Sequence, residues 1–97
     1  MDERIAGVGD IEIVATTIAL AFADDPVWGP AMGGPRTSIA DRRLLWRIFI
    51  AGAVRNPWSR LVSGGAAVSV WIPPDGTEMT PEQEAELDDV QRGLLFR

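Results

Sequence analysis

The segment Ala66-Ala67-Val68-Ser69-Val70-Trp71-Ile72, closed by Pro73-Pro74, constrains the fold more than any other stretch of this chain. Its β-branched residues and Trp predict a strand. Val68, Val70 and Ile72 fall on one face, Ala67 and Trp71 on the other. Two apolar faces predict cover on both sides, with Trp71 in a core. Yet after it come a Pro-Asp-Gly turn and an acidic helix, and no further strand. The expectation is a single α+β domain over residues 1–97, incomplete as it stands.

The residue inventory removes several chemistries. The chain has no Cys, His, Lys or Tyr. Disulfides, thiolate nucleophiles, an imidazole base, a lysine Schiff base and a phenolic acid are therefore excluded. A zinc site would have to be all carboxylate, which is uncommon, so no metal residues are assigned. Asp and Glu are left for acid–base work. With 46% hydrophobic and 24% charged residues the chain is globular in composition.

Net charge is −5, which argues against nucleic acid as a partner. The charge is segmented. Residues 1–35 carry six acids against Arg4, residues 36–60 six arginines against Asp41, and residues 61–97 seven acids against Arg92 and Arg97. The plain expectation is a basic helix held between acidic neighbours; the functional one is a cationic surface for a phosphate-bearing ligand. The apolar run from Ile11 to Ala23 contains Glu12, Thr16 and Thr17 and is too short to span a bilayer. No membrane partner is expected, and a cytoplasmic location is. Exclusive use of Arg over Lys, with abundant Ala and Gly, suggests a GC-rich bacterial genome.

Local signals give the element order. A short first strand is expected at residues 4–8. Asp10 is placed to cap a helix whose apolar face is Ile11, Val14, Ala15, Ile18 and Phe22, ended near Asp24-Asp25 by Pro26. Residues 26–36 hold three Pro and three Gly and predict a loop. Ser38 and Asp41 form a capping-box pattern before a helix from about Ile39 to Arg55. Its expected buried face is Leu44, Leu45, Ile48, Phe49 and Ala53, with Arg43 and Arg47 opposite. A second strand at Trp58–Ser63 and the Gly64-Gly65 turn predict a hairpin in which Leu61 faces Val68 and Trp58 faces Trp71. Thr80-Pro81-Glu82-Gln83 starts a last, amphipathic helix. Its stripe of Leu87, Val90 and Leu94 is expected on the sheet, and its acids on the solvated face.

Two phrases stand in this order: a helix ending Ala21-Phe22-Ala23-Asp24-Asp25-Pro26, and a third strand ending Trp71-Ile72-Pro73-Pro74. With the element order, they resemble the N-terminal half of bacterial GNAT-superfamily N-acetyltransferases over nearly the whole chain. The resemblance implies an α+β fold with a short first strand, two helices, an antiparallel β-hairpin and a C-terminal amphipathic helix. It implies acetyl transfer from acetyl-CoA to a small-molecule or peptide amine. In that family a Q/R-x-x-G-x-G/A loop at a helix N-terminus holds the acetyl-CoA pyrophosphate. This sequence has no such loop, since Gly33-Gly34 and Gly64-Gly65 match neither its spacing nor its context. No cofactor-binding or catalytic residue is therefore assigned, and the isolated chain is expected to be inactive. What the resemblance leaves here is the acceptor side: Asp24, Asp25 and Trp28 are the candidate substrate-binding residues. The simpler expectation is that the acids end the helix and Trp28 packs on the core. Two alternatives stand beside the enzyme reading: a non-catalytic interaction module that self-associates through strand 66–72, and a degenerate product without activity.

Overall fold

The computed structural model describes residues 2–28 and 37–95. They form a small α+β domain of three α-helices and a three-stranded antiparallel sheet. Strand β1 (Glu3–Ile5) leads through a 3-10 turn (Val8–Asp10) into helix α1 (Ile11–Ala21). Helix α2 (Ile39–Ala53), the hairpin strands β2 (Arg60–Val62) and β3 (Ala67–Ser69), and helix α3 (Pro81–Leu95) follow. The strand order is β1-β2-β3. No described helix is long and apolar enough to cross a membrane.

Both capping boxes form. The Asp41 N–H donates to Ser38 Oγ at 3.1 Å and the Ser38 N–H to Asp41 Oδ2 at 3.0 Å. Gln83 and Thr80 make the same exchange at 3.1 and 2.8 Å. Each box satisfies two N–H groups that have no partner within the helix.

The Asp10 cap does not form as expected. Asp10 precedes α1, but its side chain makes no capping bond to that helix. Its two oxygens accept from the Arg4 guanidinium at 2.7 and 2.5 Å, and Oδ2 also accepts from the Gly7 N–H at 2.9 Å. A bidentate, charge-assisted pair outcompetes a single helix N–H. The result ties β1 to the start of α1. The Arg4 hydrogen bonds first, then the Gly7 N–H, bring the Asp10 pKa down from 3.8 to about 2.

The hairpin register is the expected one: Leu61 faces Val68, Arg60 faces Ser69 and Val62 faces Ala67. The turn differs. It is not a two-residue Gly64-Gly65 turn but the four residues 63–66, closed by an Ala66 N–H bond to the Val62 carbonyl at 3.0 Å. Ser63, Gly64 and Gly65 all take positive φ (48°, 66° and 102°). Lengthening the turn by two residues preserves face parity, so the register survives. A Cβ at Gly65 would sit 2.3 Å from Ile13 Cγ2, and Thr17 Oγ1 donates to the Gly65 carbonyl at 2.7 Å. The hairpin tip is thus fastened to α1.

Ladder pairing stops at Ser69, so the expected strand 66–72 is paired over only three residues. Trp58 and Trp71 still share one side, lining a cleft of about 370 Å³ with Pro57 and Arg60. Their rings make no aromatic contact with each other. Cover on both faces is not observed: Ala67 is exposed and Trp71 is 59% exposed, outside any core. The reason is that α1 and α2 lie on the other face. There Ala6, Val14, Ala15, Ile50 and Leu61 are buried together, with Ile11, Ile18, Trp46, Val54 and Val68 packed around them.

Helix α3 docks on α2 rather than on the sheet. Leu94 and Leu45 are buried together, flanked by Trp46, Phe49, Leu87 and Val90. The connection after Pro73 turns through a Gly76 N–H bond to the Pro73 carbonyl at 2.8 Å. It then crosses α2 at Gly52, where a Cβ would lie 1.9 Å from the Glu78 carbonyl oxygen. That close approach buries Met79 and delivers α3 to the α2 flank. The outer edge of β3 therefore has no strand partner among the described residues.

Candidate functional site

An apolar groove opens where the end of α1, one flank of α2 and the segment after β3 converge. Its volume is about 240 Å³. Ile18 of α1 and Trp46, Phe49, Ile50 and Ala53 of α2 form two walls. Val70 and Ile72 form a third, Trp28 stands at one end, and Glu78 is the single ionisable residue of the lining among the described residues.

Four aromatic rings organise this region around Trp46. Its ring centroid lies 5.7 Å from Phe22, 5.2 Å from Trp28 and 5.7 Å from Phe49. Phe22 meets Trp28 edge-on at 6.3 Å. Each such contact contributes about 0.5–1.5 kcal/mol beyond area burial, so the Trp28 ring is anchored although 38% of the residue is exposed. Its backbone is fixed as well. Asp25 Oδ1 accepts from the Val27 N–H at 2.8 Å and the Trp28 N–H at 2.9 Å. Both bonds are of the short-range aspartate type that competes with helix continuation.

Of the three sequence-derived candidates, only Trp28 lines the groove. Asp25 is half-buried and acts on Trp28 through the backbone. Asp24 is exposed and does not line the groove. The unfavourable placement of two acids at the α1 C-terminus is met by Arg42, which is buried and donates from Nη1 to the Ala23 carbonyl at 2.6 Å. The remainder of the loop, residues 29–36, lies outside the described residues.

Sequence reasoning missed Trp46, Phe49 and Glu78. Trp46 and Phe49 stand at i and i+3, a spacing that puts them on one side of the helix; this signal was available. Glu78 carries none, because it reaches the groove only through the crossing at Gly52. The expected buried face of α2 also needs correction. Leu45, Ile48 and Ala53 are buried and Phe49 half-buried, but Leu44 is 42% exposed, while Ile50 and Gly52 are buried. The helix has two partners, the α1-sheet layer and α3, so its buried arc is wider and rotated.

The basic segment behaves as a structural element. Arg43 and Arg47 both reach Glu12 of α1, at 3.7 and 2.8 Å. Arg55 donates to the Gly52 and Thr77 carbonyls. Arg60 lies 3.4 Å from Glu3. Every arginine among the described residues has a carboxylate, carbonyl or hydroxyl partner. The described residues hold no group of three or more acids positioned for a metal.

Comparison with protein-family models, with curated proteins and with solved structures finds no match to this chain.

Proposed function

We propose that the chain is the N-terminal, acceptor-side part of a GNAT-type N-acetyltransferase, working in the cytoplasm on an amine and inactive in isolation. The element order supports the reading: β1, two helices on one face of the sheet, then an antiparallel hairpin. The observation that carries it is the place of Trp28. The Ala-Phe-Ala-Asp-Asp-Pro phrase sets Phe22 in the aromatic cluster, uses Asp25 as a backbone cap, and presents Trp28 to an open groove. Concave, mostly apolar sites with a few polar groups are the usual form of small-molecule pockets.

In the proposed reaction the neutral amine nitrogen forms the new N–C bond as the thioester C–S bond of acetyl-CoA breaks, and the amine proton goes to the leaving thiolate. In this reading the loop that holds acetyl-CoA belongs to the other half of the enzyme. The test is to read the gene past the Arg97 codon and assay the full product for amine-dependent release of CoA thiol. The expected result is a further strand followed by a Q/R-x-x-G-x-G/A loop, with CoA release. Absence of both the loop and the release would rule the reading out.

A second reading, a non-catalytic module that self-associates through its strand edge, is favoured by one observation: the unpartnered outer edge of β3, beside exposed Ala67. Open edges recruit other strands. An active full-length enzyme would remove the need for it.

A further inference from the structure

We propose that the groove selects a primary amine carried on an apolar, preferably aromatic, body, with Glu78 receiving the ammonium group. The choice of an amine rests on the acceptor-side reading above; the choice of its body rests on the groove. Trp28, Trp46 and Phe49 offer ring faces and edges to a guest. A groove of about 240 Å³ has room for one aromatic ring system with a short amine arm. Glu78 lines the groove and is exposed, while the other described lining residues are apolar, so an acid stands beside a hydrophobic interior. An ammonium group placed there gains the carboxylate and, near an indole face, a cation–π contact.

The same layout rejects the other common amine classes. A free amino acid would bring its carboxylate into a groove whose described lining residues include one acid and no cation. A polyamine has no ring to fill the aromatic end, and would place a second charge against apolar walls at a desolvation cost. The outer cleft at Trp58 and Trp71 has the reverse character, since its only ionisable residue among the described ones is Arg60. It therefore serves as an internal control.

The experiment titrates the purified chain at neutral pH with 2-phenylethylamine and follows the four indole N–H resonances by NMR. Parallel titrations use 2-phenylethanol, phenylalanine and putrescine. The expected result is a shift of Trp28 and Trp46, with the amine bound about tenfold more tightly than the alcohol or the amino acid, and no shift with putrescine. A tenfold preference corresponds to about 1.4 kcal/mol, within reach of one exposed charge pair with a cation–π contact. Glu78→Gln lies at an exposed position, so folding is retained. It should abolish the tenfold preference and leave phenylethanol affinity unchanged. Trp28→Ala should weaken both ligands. Equal binding of amine and alcohol, no shift at tens of millimolar, or shifts at Trp58 and Trp71 instead would overturn the proposal. Those results leave the acetyltransferase reading to its own CoA-release test. Amine-selective binding upholds the site even where that test fails.

Discussion

Gly52→Ala should destabilise the domain, against the ordinary helix-propensity rule. Within a helix, Ala is favoured over Gly by about 1 kcal/mol. At this position, however, the added Cβ would lie 1.9 Å from the Glu78 carbonyl oxygen and 2.9 Å from Glu78 C and Met79 Cα. Ordinary contact begins at 3.4 Å, so the crossing segment has to lift by about 1.5 Å. Every clashing atom is backbone, so no side-chain rotation relieves it. Overpacking of this kind costs about 1–3 kcal/mol. Lifting the segment also loosens Met79, which is only 6% exposed, and strains the Arg55 bonds to the Thr77 carbonyl and hydroxyl at 2.8 and 3.0 Å. Loosening Met79 forfeits part of the roughly 1.5–3 kcal/mol that its burial supplies. Setting about 3 kcal/mol of loss against about 1 kcal/mol of propensity gain leaves a net loss near 2 kcal/mol. For a chain of this length that lowers the melting temperature by about 8–16 °C. The control is Gly93→Ala in α3, where a Cβ meets nothing within 4 Å; there the propensity gain stands alone and stability should rise by about 1 kcal/mol. Urea denaturation of both variants reads the two signs. A Gly52→Ala protein as stable as Gly93→Ala would refute the crossing geometry, and with it the route by which Glu78 reaches the groove.

Asp10→Asn should flatten the acid limb of stability: the folded pKa of Asp10, about 2, lies below its ordinary 3.8, so its contribution is complete above about pH 4 and is lost as pH falls toward 2. Melting temperatures of both proteins across that window check this, and equal acid slopes would count against the Arg4–Asp10 pair. Self-association through the open β3 edge should make sedimentation concentration-dependent, and Ala67→Lys should suppress it, because Ala67 is exposed whereas Val70 also lines the groove; a monomer at high concentration would show that the edge is protected. Calorimetry of the isolated chain with acetyl-CoA at physiological salt should show no binding, since the described arginines are engaged and surface attraction is screened; a micromolar isotherm would place a cofactor site within these residues.

How much was legible in the sequence depended on how far each determinant reaches. Ser38–Asp41 and Thr80–Gln83 are complete within four residues, and both formed as expected. The pairing of Leu61 with Val68 needed only parity across the turn, so it survived an error in turn length. Asp10 failed because its competitor, Arg4, comes from a strand that a cap rule does not consult. The placement of α3 failed for a similar reason. Its stripe of Leu87, Val90 and Leu94 specifies an apolar partner without saying which, and Gly52 decides the matter by letting the chain cross α2.

The groove inherits this division. Trp28 was found because it follows a helix-ending phrase with local meaning, and its position is then held by Asp25, its near neighbour. Glu78 was not found, because its place depends on a glycine 26 positions earlier in the chain. The ring body of a ligand and its charge are thus read by residues with different origins. Trp28, Trp46 and Phe49 belong to the α1–α2 layer, while Glu78 arrives with the crossing segment. Loosening that segment should therefore remove the preference for charge before it removes affinity for the ring. Gly52→Ala, examined at a temperature where it remains folded, should bind 2-phenylethylamine and 2-phenylethanol more nearly alike. Retention of the full tenfold preference would mean that the ammonium group is held by something other than Glu78.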